Sequence, residues 1–155
     1  MNWYSNSKKR FDEIIAINIT AEKTELFCMD LYPGEMTKEK TKVIWNQKAV
    51  LKGDYYRGYW MLDILESGKY EVTLRRWPET LDEPILKGPH KSKELKIRAA
   101  QLIIEGNEIK KEATSSQKEI VFKTEFKKGV QPFQAEFIDA KGEAFSAYYV
   151  YIKKI

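Results

Sequence analysis

The stretch KYEVTLRRW (Lys69–Trp77) decides how the chain is read. Tyr70, Val72 and Leu74 fall on one side of an extended segment, and Glu71, Thr73 and Arg75 on the other. That is the period of two of a strand with one buried face. The run then ends in Arg75, Arg76 and Trp77 ahead of Pro78. Carried to its end, the alternation turns Arg76 with Leu74 toward the core, and Arg75 and Trp77 away from it. A buried guanidinium must find acceptors, because an unpaired buried charge is very costly. Either Arg76 pairs with an acid such as Glu79 or Asp63 and clamps a loop, or the arginines and Trp77 face something outside the protein.

The same period recurs outward from this run. GYWMLDI (Gly58–Ile64) places Trp60, Leu62 and Ile64 on one face, and ESGK joins it to the first stretch as a hairpin-type connection, so Trp60 and Tyr70 are expected to pack across paired strands. EIIAINIT (Glu13–Thr20) and TELFCMDLY (Thr24–Tyr32) read as strands, the second stopped by Pro33 and Gly34. Beyond a proline-bearing break, LKIRAAQLIIEG and NEIKKEA predict a hairpin over Gly106 and Asn107. EIVFKTEF, PFQAEFID and AFSAYYVYIKK alternate again. Helix is scarce, with one short turn expected around Gln47–Leu51. About nine or ten short strands at this spacing predict an all-β, two-sheet antiparallel β-sandwich, jelly-roll-like in character. Residues 1–155 read as a single such domain, with 1–12 as an N-terminal linker or interdomain segment.

Composition supports a packed core, at 43% hydrophobic and 13% aromatic residues. Lysine and arginine total 27 against 23 acids, a net charge of +4 with the signs mixed along the chain. A nucleic-acid binder would gather its cations in a stripe, so no nucleic-acid partner is expected. No apolar run nears the ~20 residues of a membrane span. The opening MNWYSNSKKRFDE is polar and lacks the apolar middle of a signal peptide. The one cysteine, Cys28, excludes an intrachain disulfide.

Catalytic chemistry finds little to work with. His90, the only histidine, lies in the basic loop KGPHKSK, so a Ser-His-Asp triad has no support. There is no second histidine or paired cysteine for a metal, and no cofactor is expected. Acid pairs such as Asp82-Glu83 occur, but carboxylates are common and their separations are not given by the sequence, so a two-carboxylate glycosidase site stays open as the weakest reading. Cys28, mid-strand in LFCMD, reads as a small buried hydrophobe.

The segments WYSNSKKRFDEIIAINI, LFCMDLYPGE, WNQKAV, GYWMLDILESGKYEVTLRRWPE and AYYVYI, in that order, resemble the C-terminal region of bacterial arylsulfatases of the alkaline-phosphatase-like superfamily. The most specific piece is GYW-x₉-Y-x₃-LRRWPE (Gly58–Glu79). A shorter likeness, around ESGKYEVTL, is to galactose-binding jelly-roll modules. The sulfatase resemblance implies a β-rich extension behind a large catalytic domain that hydrolyses aryl or carbohydrate sulfates. It also points to a periplasmic or secreted location. That family's nucleophile, a formylglycine from a Cys/Ser-x-Pro-x-Arg motif, and its acid-held calcium do not map here: Cys28 is followed by Met29, Asp30, Leu31 and Tyr32. The expected role is therefore a non-catalytic accessory domain partnered by a sulfatase catalytic domain. The alternative is a free-standing module for anionic polysaccharide.

Within that resemblance, Arg75, Arg76 and Trp77 would line a groove for a sulfated carbohydrate, guanidiniums donating to sulfate oxygens and the indole covering a ring's C–H face. Trp45, Asn46 and Gln47 would add a second aromatic and two amides, unless Trp45 merely caps the core at a turn. In AYYVYI, Tyr149 and Tyr151 share one face; they pack in the core or form the patch that docks on the catalytic domain.

Overall fold

Strands that bury only one face need a second sheet to cover it, and the chain folds into two. The computed structural model describes residues 15–33, 50, 52–53, 55–89 and 92–155. Among these, eleven strands follow in order: β1 (Ile17–Ile19), β2 (Thr24–Phe27), β3 (Tyr32–Pro33), β4 (Gly58–Ile64), β5 (Gly68–Arg75), β6 (Ile97–Ile104), β7 (Asn107–Glu112), β8 (Glu119–Phe126), β9 (Gly129–Asp139), β10 (Ala144–Ser146) and β11 (Tyr149–Lys154). The larger sheet has the order β1-β4-β9-β6-β7, with β3 added to β4 and β10 to β9. The smaller sheet has the order β2-β11-β5-β8. All pairings are antiparallel except β1 with β4, which run parallel. The all-β two-sheet sandwich is thus the fold. The expected turn at Gln47–Leu51 lies, apart from Val50, outside the described residues.

The connections correct three local expectations. The link from β4 to β5 is not a hairpin: β4 belongs to the larger sheet and β5 to the smaller, so Leu65–Ser67 carries the chain across the sandwich. The run Thr24–Tyr32 is not one strand either. A 3-10 turn at Cys28–Asp30 breaks it, and β2 and β3 pair into different sheets. Cys28 therefore opens a turn, its N–H donating to Tyr148 O at 2.9 Å. The hairpin between β6 and β7 forms as expected, but its tight turn is centred on Glu105 (φ 49°) and Gly106 (φ 80°), one position earlier than the sequence indicated. Positive φ at both central residues matches the right-handed twist of paired strands.

The core is aromatic, and aromatic rings join the sheets. Trp60 and Tyr70 do not face each other across a strand pair. Instead Tyr70 meets Phe126 edge-on (ring centroids 5.5 Å), Phe126 meets Phe133 (5.6 Å), and Phe133 lies beside Trp60 (6.3 Å). The relay passes from β5 and β8 in one sheet to β9 and β4 in the other. Trp60 Nε1 donates to Phe27 O at 2.9 Å, so the largest core side chain keeps its polar edge satisfied. Phe133→Ala is expected to lower unfolding free energy in urea by about 3–5 kcal/mol, whereas Val130→Ala, exposed near the start of the same strand, should change it by less than about 0.5 kcal/mol.

Candidate functional site

Arg75, Arg76 and Trp77 follow the end of β5 and all three are buried; Trp77, expected to turn away from the core, joins it instead, because the strand ends at Arg75 and the alternation no longer applies. Arg76 has 0% exposure. Its Nη1 donates to Ile85 O (3.0 Å) and Leu86 O (3.2 Å), and its Nη2 to Val50 O (3.3 Å). These acceptors, among the described residues, are backbone carbonyls, and Glu79 instead pairs with Lys23. Burial pushes the guanidinium pKa down to about 10, which still leaves it cationic at neutral pH. Its charge centre lies 4.6 Å from the Trp77 ring.

Trp77 seals the arrangement. Its Nε1 donates to Pro84 O at 3.1 Å. Its six-membered ring lies so close to Gly88 that a Cβ there would fall 2.0 Å from Cζ2, which is why glycine occupies that position. Arg75, on the outer face, pairs with Glu119 across β8 (2.9 Å) and donates to the carbonyls of Trp77 and Leu81. Together these contacts hold the loop between β5 and β6, which also ladders to the 114–117 turn through Ile85 N to Gln117 O (3.0 Å) and Leu86 N to Ser115 O (2.8 Å). The polar groups of these three side chains that were drawn toward a ligand are turned onto the chain's own loop. Trp45, Asn46 and Gln47, assigned to the same groove, lie outside the described residues, as does His90.

Tyr149 and Tyr151 are placed on the outer face of the smaller sheet, yet both are buried. Tyr149 packs on Phe27 (ring centroids 4.9 Å). The Tyr151 hydroxyl accepts from Glu79 N at 2.9 Å, and Lys23 Nζ sits 5.7 Å from its ring while pairing with Glu79 at 2.6 Å. The loop after Trp77 therefore covers Tyr151, and Phe27 packs on Tyr149, so both rings are buried within this chain. Burial, with the Glu25 and Glu79 carboxylates nearby, pushes the Tyr151 hydroxyl up to about 12, so it stays neutral.

Beside Tyr151 this covering leaves a polar cavity of about 230 Å³. It is lined by Glu71, Thr73, Glu119, Lys23, Glu79, Tyr151 and Lys153. The residues come together because β11 pairs with β5 in a register that sets Tyr151 opposite Thr73 and Lys153 opposite Glu71. The alternation in KYEVTLRR had already put Glu71 and Thr73 outward. Their cross-strand neighbours were not legible from it.

A second polar cluster, missed in the sequence, lies on the outer face of the larger sheet. The Glu136 carboxylate has 0% exposure and accepts from Arg57 Nε (2.7 Å) and Nη2 (3.2 Å), and from Gln101 Nε2 (2.7 Å). The two-pronged pairing holds the Arg57 pKa above its ordinary value. Every polar atom named there is used within the protein, so the cluster ties the segment entering β4 to β6 and β9. Among the described residues, no group of three or more His, Cys, Asp or Glu is placed to hold a metal ion, and no helix is long and apolar enough to cross a membrane.

No family model matches the chain, and no curated protein matches it either. Solved structures similar in part include protein YxiM from Bacillus subtilis (21% identity, TM-score 0.36, covering 63% of this chain and 22% of that one). Another is a ruminal GH26 endo-β-1,4-mannanase (13% identity, TM-score 0.44, covering 88% and 26%). The chain thus spans about a quarter or less of either protein, and neither overlap is close enough to bear on function.

Two outcomes test this geometry. Arg76→Met should lower stability by about 3 kcal/mol in urea, since three buried carbonyls lose a charged donor, and Arg76→Lys should recover only part because an ammonium cannot fork to all three. Burial pushes the Cys28 thiol up to about 12 from 9.0. A folded-state value above the unfolded one means its contribution is whole below pH 9 and is lost as pH climbs toward 12. A thiol reagent at pH 8 should therefore leave folded protein unmodified and label it only after denaturation.

Proposed function

We propose that this chain is the non-catalytic accessory β-sandwich of an arylsulfatase-like sulfuric ester hydrolase, packing beside its catalytic domain. The observation that carries the reading is where the resemblance-bearing segments go. GYW…LRRWPE and AYYVYI, far apart in sequence, meet as β5 and β11, paired from Tyr149 opposite Arg75 to Lys154 opposite Tyr70. Their largest side chains, Trp60, Tyr70, Arg76 and Tyr148, are fully buried. A motif spent on a buried staple belongs to architecture, and Cys28, the one thiol, is held neutral in a packed turn. The free-standing module for anionic polysaccharide is the weaker proposal, because the side chains that would grip sulfate are turned inward onto carbonyls.

The test is the complete open reading frame together with the purified domain. An in-frame Cys/Ser-x-Pro-x-Arg segment upstream, a rise in the melting temperature of that catalytic domain when this one is attached, and no aryl sulfate turnover by the isolated sandwich are the expected results. A complete gene lacking that segment, or hydrolysis of an aryl sulfate by the sandwich alone, would overturn the reading.

A further inference from the structure

The loop that Arg76 holds is basic, and its charges are left unmatched. Leu95 N donates to Leu86 O (2.8 Å), and Ala140 N to Lys96 O (3.0 Å). These bonds bring segments 86–89, 92–98 and 139–143 together at the start of β6 and the end of β9. A Cβ on Gly53 would fall 2.7 Å from the Leu95 side chain, and one on Gly142 3.3 Å from the Arg98 guanidinium, so Lys52 and Lys141 belong to the same end of the sandwich. Lys52, Lys87, Lys93, Lys96, Arg98 and Lys141 are all exposed there. None of the six is ion-paired among the described residues, whereas Lys23, Arg75, Lys118 and Lys154 elsewhere are each matched to an acid. The acids in these segments are Glu94 and Glu143, both exposed, and the buried Asp139. The Asp139 carboxylate is taken up by the Tyr55 hydroxyl and the N–H groups of Lys141 and Glu143. Like charges gathered without partners repel one another, a cost that a surface built only for solubility avoids by interspersing signs.

We infer that this basic end is a binding surface for a linear anionic polysaccharide, one that carries sulfate or carboxylate groups along its chain. Exposed cations at spaced positions on a held loop match a polymer of repeated charges, which releases its counterions when they engage. The composition favours this partner over two others. Lysine is depleted where protein faces pack together, and five of the six cations are lysines, which disfavours a docking domain. Single-stranded nucleic acids stack their bases on aromatic rings, and none of the described residues in these segments is aromatic. The LRRW motif takes an indirect part: Arg76, bonded to the carbonyls of Ile85 and Leu86, holds the loop that presents Lys87. This surface does not depend on attachment to a sulfatase. Its failure would leave the accessory reading standing, and the reverse also holds.

The experiment is an amide-resolved NMR titration of the chain with a heparin oligosaccharide, an oligogalacturonate, a neutral dextran oligosaccharide and a single-stranded DNA. Saturable shifts at the amides of Lys87, Lys96, Arg98 and Lys141 are expected for at least one anionic saccharide, and none for dextran. The affinity should fall about tenfold as salt rises from about 50 to about 200 mM. A response to both anionic saccharides supports recognition by charge alone; a response to one of them supports it for that anionic group. The triple variant Lys87→Gln, Lys96→Gln, Arg98→Gln should weaken binding about tenfold, roughly twofold for each exposed charge. A control triple on the smaller sheet, Lys69→Gln, Lys123→Gln, Lys153→Gln, removes the same net charge from other exposed positions and should weaken it less than about twofold. No saturable shift with either anionic saccharide, tighter binding of the DNA than of both, or equal losses in the two triple variants would overturn the assignment.

Discussion

A positive charge held inside the protein by backbone carbonyls organises one end of this sandwich. Arg76 sits where β5 leaves the core, and its guanidinium reaches Ile85 and Leu86 in the following loop and Val50 in an earlier segment. A guanidinium in such a place would be several kcal/mol unfavourable without acceptors, so the loop and the charge require each other. Trp77 closes one side of the guanidinium and rests on Gly88, where no side chain would fit. From this clamp the loop runs back over the smaller sheet, where Glu79 and Leu81 cap Tyr151 and Arg75. The polar cavity is a consequence of that cover.

The fold was legible to the extent that it depends on faces. Alternation in KYEVTLRRW, GYWMLDI and PFQAEFID separates core from surface residues, because side chains in a strand alternate regardless of what the strand pairs with. Pairing is another matter. The Ser67-Gly68 link looks like a hairpin turn, yet β4 and β5 lie in different sheets. Alternation is the same whether the next strand is a neighbour in the sheet or an element of the sheet opposite. The Trp60 and Tyr70 parities were read correctly as inward, and their contact was not, since Phe126 and Phe133 stand between them. The β6–β7 turn could be recognised because Gly106 punctuates it locally.

The same division applies to the sites. Arg76 was read as inward, and the need for acceptors followed from its charge. That the acceptors are carbonyls could not be read, because every residue carries one and no side-chain type marks it. Glu136 alternates outward with Gln134, as a surface acid would, and only the arrival of Arg57 from just before β4 and of Gln101 from β6 explains its burial. Tyr149 and Tyr151 share a face as expected, but the loop that covers Tyr151 belongs to a segment without periodicity. A reading of the LRRW motif as a ligand grip and one as a staple differ only in where that loop lies.

The most direct test is therefore nitrogen-resolved NMR of the arginine side chains, observed alone and with a sulfated oligosaccharide added. A clamped Arg76 predicts separate, slowly interconverting Nη signals, protected from water and unmoved by the saccharide, while the more exposed Arg57 and Arg98 exchange faster. A single averaged, rapidly exchanging Arg76 signal, or one that shifts as the saccharide is added, would contradict a buried staple and return the motif to the surface.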